Sequence, residues 1–213
     1  MEGRRYSLRP SRGFTLLEVA LATAVLAIML TMLYGAAWAM MKTARAQDST
    51  VMLNSEARQA MSSIARNLRQ SQATSLLTQN GGFVALNNLP VTNIQFLRVA
   101  DVDGNGSAID LNFDPETTGP FWITRDTNDA NGDGQTLTQL VRLDQNGQVV
   151  EVLANHISPV VVTGDMYSAP NGGVQFQNIG GGNIQVTLIL RHRADPNLPM
   201  MVVRVDEVVS PRN

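Results

Sequence analysis

From Phe14 to Met41 the chain is apolar almost without interruption: across these 28 residues the only ionisable side chains are Glu18 and Tyr34. A bilayer core of ~30 Å takes ~20 apolar residues as a helix, so Phe14–Leu33 alone is long enough to cross one. The pattern then changes without stopping. Leu53, Ala57, Met61, Ile64, Ala65 and Leu68 recur three and four residues apart, forming an apolar stripe with Glu56, Arg58, Arg66 and Arg69 off it. No proline falls between Pro10 and Pro90, Gly35 is the only glycine between Gly13 and Gly81, and Asn80-Gly81-Gly82 is the first strong stop. One helix is therefore expected from about Thr15 to Leu77, ~95 Å at 1.5 Å per residue. Its first half is apolar all round and its second half amphipathic, with Gly35 marking either a bend or tolerated flexibility.

From Phe83 onward the signals are those of strands and turns. Ile94–Val99, Ile109–Phe113, Phe121–Thr124, Leu137–Leu143, Gln148–Leu153, Pro159–Thr163, Val174–Gln177, Ile184–Leu190 and Met201–Val209 are apolar or alternating runs between Gly, Asn, Asp and Pro clusters. Asp144-Gln145-Asn146-Gly147 is placed as a hairpin turn. Ile184–Leu190 and Met201–Val209 read as a second hairpin, with Asp195–Pro199 in its loop. No internal repeat appears. The expected fold class is α+β, one long N-terminal helix packed on an antiparallel β-sheet. The segments are residues 1–13, a basic leader; 14–41, a transmembrane helix; 42–80, its amphipathic continuation; and 81–213, a β-rich globular domain.

Charge gives this plan a direction. The net charge of −2 hides an asymmetry: Arg4, Arg5, Arg9 and Arg12 against Glu2 give residues 1–13 a balance of +3, leaving −5 for the rest. Basic residues before an apolar span keep that side in the cytoplasm and send the remainder outward, and Tyr34 and Trp38 sit where an outer interfacial belt belongs. The acidic domain has no electrostatic reason to bind nucleic acid. With no cysteine among 213 residues there is no disulfide, thiolate metal site or Cys nucleophile. An ordinary secretory signal competes, because Ala44-Arg45-Ala46 before Gln47 resembles a small-x-small cleavage site. Its apolar region should span only about 7–15 residues, far short of the run here, and Lys42 intervenes.

The string Arg12-Gly13-Phe14-Thr15-Leu16-Leu17-Glu18-Val19 resembles the N-terminal signal of type IV prepilins and type II secretion pseudopilins. That family has a short basic leader, Gly at its last position, Phe as first mature residue and Glu as the fifth. The resemblance implies cleavage after Gly13 by a membrane prepilin peptidase and N-methylation of Phe14, the apolar run being retained for assembly. Glu18 suits that use. Cleavage leaves a cationic amine on Phe14, one helical turn (~6 Å) from the carboxylate. Burying either unpaired is costly, whereas pairing them between neighbouring subunits satisfies both. A Glu snorkelling at the cytoplasmic interface is the plainer alternative.

Within this superfamily, Ser55–Met61 followed by Ile64–Gln70, and Val141–Gly147, are similar to J-type minor pseudopilins and W-type minor pilins. That resemblance implies a minor subunit at or near a filament tip, in a secretion pseudopilus supporting export or in a type IV pilus. Its implied partners are the prepilin peptidase, other major and minor pilins or pseudopilins, the inner-membrane assembly platform and, before assembly, the lipid bilayer. The implied location is a single-pass bacterial inner-membrane protein, N-terminus cytoplasmic and domain periplasmic.

Asp101-Val102-Asp103-Gly104-Asn105-Gly106 and Asp129-Ala130-Asn131-Gly132-Asp133-Gly134 both match D-x-[DN]-x-[DN]-G. Asp101, Asp103, Asn105, Asp129, Asn131 and Asp133 offer the short oxygen ligands that suit Ca²⁺. Position twelve of each loop is Asn112 or Leu140, not the bidentate Glu of an EF-hand, and the same residues also build tight turns, so both readings stand. No nucleophile elbow, zinc-protease, P-loop or dinucleotide fingerprint occurs, and His156 and His192 have no flanking ligand pattern. The chain is expected not to be an enzyme. A membrane-anchored periplasmic hydrolase or binding module is the rival class.

Overall fold

The computed structural model describes residues 15–72, 76–79, 83–85, 88–110, 112–129, 132, 134, 138–158, 172–193, 196 and 200–211. The order of elements is helix α1 (Leu16–Arg69) and strands β1 (Leu77–Gln79), β2 (Phe83–Ala85), β3 (Ile94–Val99), β4 (Thr117–Arg125), β5 (Leu140–Leu143), β6 (Val149–Ala154), β7 (Val174–Gly180), β8 (Asn183–His192) and β9 (Met201–Val209). It is an α+β arrangement of the pilin-like kind. The chain divides into two compact units, Met1–Arg45 and Ala46–Asn213.

In the first unit the described part of α1 is apolar and exposed, Leu16 at 91% and Leu33 at 72%. It is long and apolar enough to cross a membrane, and none of its apolar window is buried. Gly35 lies within the helix, with open space among the described residues where a Cβ would stand.

In the second unit α1 buries one face. Leu53, Ala57, Ala60, Met61, Ile64, Ala65 and Leu68 are all under about 3% exposed, which is the expected stripe with Ala60 added. The helix ends at Arg69, eight residues before the expected stop. Ser71 Oγ donates to the Leu68 carbonyl at 2.6 Å. Beyond it the backbone at Gln70 and Gln72 bonds to Val99 and Leu97, with a bridge from Ser71 to Arg98. The edge of β3 thus offers these residues partners that a further helical turn would forgo.

The strands form two antiparallel sheets, one ordered β2-β1-β3-β4-β5-β6 and the other β7-β8-β9. Bridges Ile157↔Leu190 and Val91↔Phe176 tie them together. One buried cluster draws Leu53, Ile64 and Leu68 from the helix, Ile94, Phe96, Ile123 and Leu140 from the first sheet, and Val174, Phe176, Val186 and Leu188 from the second. Each such side chain contributes about 1.5–3 kcal/mol by leaving water.

Most expected strands recur with small changes of bounds. β4 runs longer than Phe121–Thr124, because across a bulge Arg98 and Val99 pair with Thr118 and Thr117. Where a strand Ile109–Phe113 was expected, Leu111 lies outside the described residues and the others form a single bridge, Ile109↔Pro115, around a turn: Asp110 Oδ1 accepts from the N–H groups of Asn112 and Asp114 at 2.8 and 2.9 Å, and Phe113 adopts φ 66°. β5 begins at Leu140, while Leu137, Pro159–Thr163 and Asn80–Gly82 lie outside the described residues. The two hairpins form as expected. At Asp144–Gly147 the side chain of Asp144 accepts from Asn146 and Gln148, while Gly147 takes φ 76°. In the other, β8 and β9 pair from Ile184↔Val209 to His192↔Met201.

Candidate functional site

The helix begins with a reciprocal cap. Thr15 N–H and Thr15 Oγ1 both donate to Glu18 Oε2, at 2.9 and 3.1 Å, and Glu18 N–H donates to Thr15 Oγ1 at 3.3 Å. This is the T-x-x-E capping box, which satisfies donors that the first helical turn leaves without intrahelical partners. The spacing was legible in Thr15-Leu16-Leu17-Glu18, yet reasoning from the apolar run alone passes over it. The Glu18 carboxylate therefore orders the start of its own helix. Gly13 and Phe14 lie outside the described residues. Farther along, the Lys42 ammonium lies 5.7 Å from the centre of the Trp38 ring, an amphipathic pair at the end of the apolar stretch.

In the first acidic loop, Asp101 and Asp103 come together with Glu116, each presenting a carboxylate oxygen within 4.8 Å of the others. Glu116 is distant in sequence and carries no local signal, so the loop motif could not reveal it. Asn105 is the loop ligand that turns elsewhere, its Oδ1 accepting from Ser107 N–H at 2.7 Å. Three carboxylates could hold a hard cation. The loop's own donors already engage them, however: Asp101 accepts from Gly104 and Gly106, Asp103 from Asn105, and Glu116 from Val102. In the second loop Asp129 Oδ2 accepts from Gly134 N–H at 2.9 Å, while Asn131 and Asp133 lie outside the described residues.

His156 and His192 are brought together, ring centres 4.6 Å apart and edge to face. The cause is long-range pairing, Arg191 N–H donating to the His156 carbonyl beside the Ile157↔Leu190 bridge. Glu56 closes the group, with Oε2 2.7 Å from His156 Nδ1.

Among known families, the model of the prokaryotic N-terminal methylation motif matches residues 8–34. The matched span holds Gly13, Phe14 and Glu18 together with most of the apolar run. It supports a type IV prepilin-like protein, for which α1 is consistent with a single-pass membrane anchor. No curated protein and no solved structure matches the chain significantly.

Proposed function

We propose that the chain is a minor subunit of a type II secretion pseudopilus, at or near its tip, with a structural rather than catalytic role in protein export. The observation that carries this reading is the methylation motif over residues 8–34 at the head of an apolar helix bearing Glu18. Peptidase cleavage after Gly13 and methylation of Phe14 free the helix to leave the bilayer and pack among other pseudopilins. The domain stands on the periplasmic side, as the basic leader directs. The likeness of Ser55–Met61, Ile64–Gln70 and Val141–Gly147 to J-type minor pseudopilins and W-type minor pilins supports a minor over a major subunit.

Deleting the gene in its host tests the assignment. Loss of a secreted protein from the medium, with surface pili intact, is the expected result. Loss of pili with export unchanged would instead make the chain a minor pilin of a type IV pilus.

A further inference from the structure

Where the last turns of α1 meet β3, β5 and β6, a cleft of about 330 Å³ is lined by Ser63, Arg66, Asn67, Arg98, Arg142 and Glu151. Three of these side chains are cations and one is an anion. An internal network accounts for one cation. Ser63 Oγ donates to Glu151 Oε1 at 2.9 Å, Arg142 Nη1 donates to Asn67 Oδ1 at 2.7 Å, and Arg142 Nη2 lies 3.5 Å from Glu151 Oε2. Glu151 is thereby committed, and among the described residues no other carboxylate lines the cleft.

Arg66 and Arg98 form no ion pair among the described residues. Arg98 and Arg142 instead share one aromatic ring, their Cζ atoms 5.6 and 5.8 Å from the centre of Phe121. A ring attracts cations through its quadrupole but does not neutralise them. Phe121 is itself fixed against buried Phe96, ring centres 5.9 Å apart, so the guanidinium groups stand on a rigid base. The Nε of Arg142 is also buried without an acceptor, an uncommon state for a donor. Clustered arginines with spare N–H forks and a positive surplus match what carboxylate and phosphate recognition requires.

We propose that this cleft is an oxyanion-binding site, taking a carboxylate or phosphate group from a ligand outside the chain. Nothing in assembly through the apolar half of α1 requires it, so the site is separate from the methylation motif.

Calorimetry on the full chain in nonionic detergent micelles at low ionic strength tests it. Two probes are used, inorganic phosphate and a Glu-rich decapeptide with an amidated C-terminus. Saturable binding of either probe, weakened about tenfold by Arg66→Gln and by Arg98→Gln, is the expected result, since each removes a charge-assisted contact. Tighter binding of the peptide identifies a polypeptide carboxylate as the ligand group, and tighter binding of phosphate a phosphorylated one. Arg204→Gln, which lies on β9 outside the cleft, should bind like the parent. Binding of neither probe beyond that of chloride at equal ionic strength overturns the proposal, as does binding that both cleft variants leave intact. Arg66 is exposed on the helix, so its loss disturbs no packed contact, and matching melting curves guard against misfolding.

Discussion

Glu56 and His156 fasten α1 to the segment that follows β6. Glu56 Oε2 lies 2.7 Å from His156 Nδ1, while Oε1 accepts from the backbone N–H groups of His156, at 3.1 Å, and of Asn155. Both side chains are mostly buried, at 17% and 29% exposure. One carboxylate thus satisfies donors at the place where the chain passes from the first sheet to the second.

Removing that carboxylate should cost more than a surface substitution. Glu56→Ala leaves two backbone N–H groups and an imidazole without their acceptor, a loss of about 1–3 kcal/mol. For a chain of this size the melting temperature should fall by several degrees. Glu56→Gln keeps one oxygen acceptor and should fall between the two. Thermal unfolding of the full chain in detergent checks this, and an unchanged midpoint for Glu56→Ala would show the bonds to be incidental.

Glu56 also marks what the sequence could and could not convey. Its place off the apolar stripe was legible from the three- and four-residue spacing, as were the buried positions from Leu53 to Leu68. The partners at Asn155 and His156 were not, because a contact spanning about a hundred residues leaves no local pattern. The helix end at Arg69 was missed for the same reason: the edge of β3 competes for the backbone of Gln70 and Gln72, and that edge is a tertiary fact. Glu116 beside Asp101 and Asp103 is a third such case. The Thr15–Glu18 box, by contrast, is wholly local.

On β8 and β9, Thr187 Oγ1 donates to Asp206 Oδ1 at 2.6 Å, and Arg204 grips the same carboxylate through Nε and Nη2 at 2.8 and 3.0 Å. The Arg204 bonds, with help from Thr187 and against partial burial, hold the Asp206 carboxyl below its usual pKa. A carboxyl depressed in the fold adds stability above its unfolded pKa of about 4, and loses it as pH falls through the lower folded value. Asp206→Asn should therefore be less stable than the parent at pH 7, by under about 1 kcal/mol at so exposed a site. The difference should shrink on acidification from about pH 5 downward. Denaturant midpoints across that range decide it, and a constant gap would remove the ionic contribution.

Processing is tested directly at the N-terminus. Mass spectrometry of the protein recovered from its native membranes should find a chain that begins with N-methylated Phe14. Gly13→Leu should accumulate the uncleaved form, because a bulky side chain beside the scissile bond should not fit the peptidase. A mature chain beginning at Gln47 would mean ordinary signal cleavage, and the prepilin reading would fall.

The cap that Glu18 forms and the pairing between subunits expected of it can be separated by substitution. Glu18→Gln keeps an oxygen that can accept from Thr15 N–H, as Gln does in capping boxes, but removes the charge. Glu18→Ala removes both. In either variant membrane insertion should be retained or improved, since an ionisable group in an apolar span is costly. If the carboxylate pairs with the Phe14 amine of a neighbouring subunit, both variants lose assembly alike, because each leaves a buried cation without its counter-charge. If the cap alone matters, Glu18→Gln assembles normally and only Glu18→Ala fails. The expected result is the first. Co-purification with partner pilin-like subunits, measured for both variants at matched expression, distinguishes them, and normal assembly of Glu18→Gln would confine Glu18 to ordering the start of its own helix.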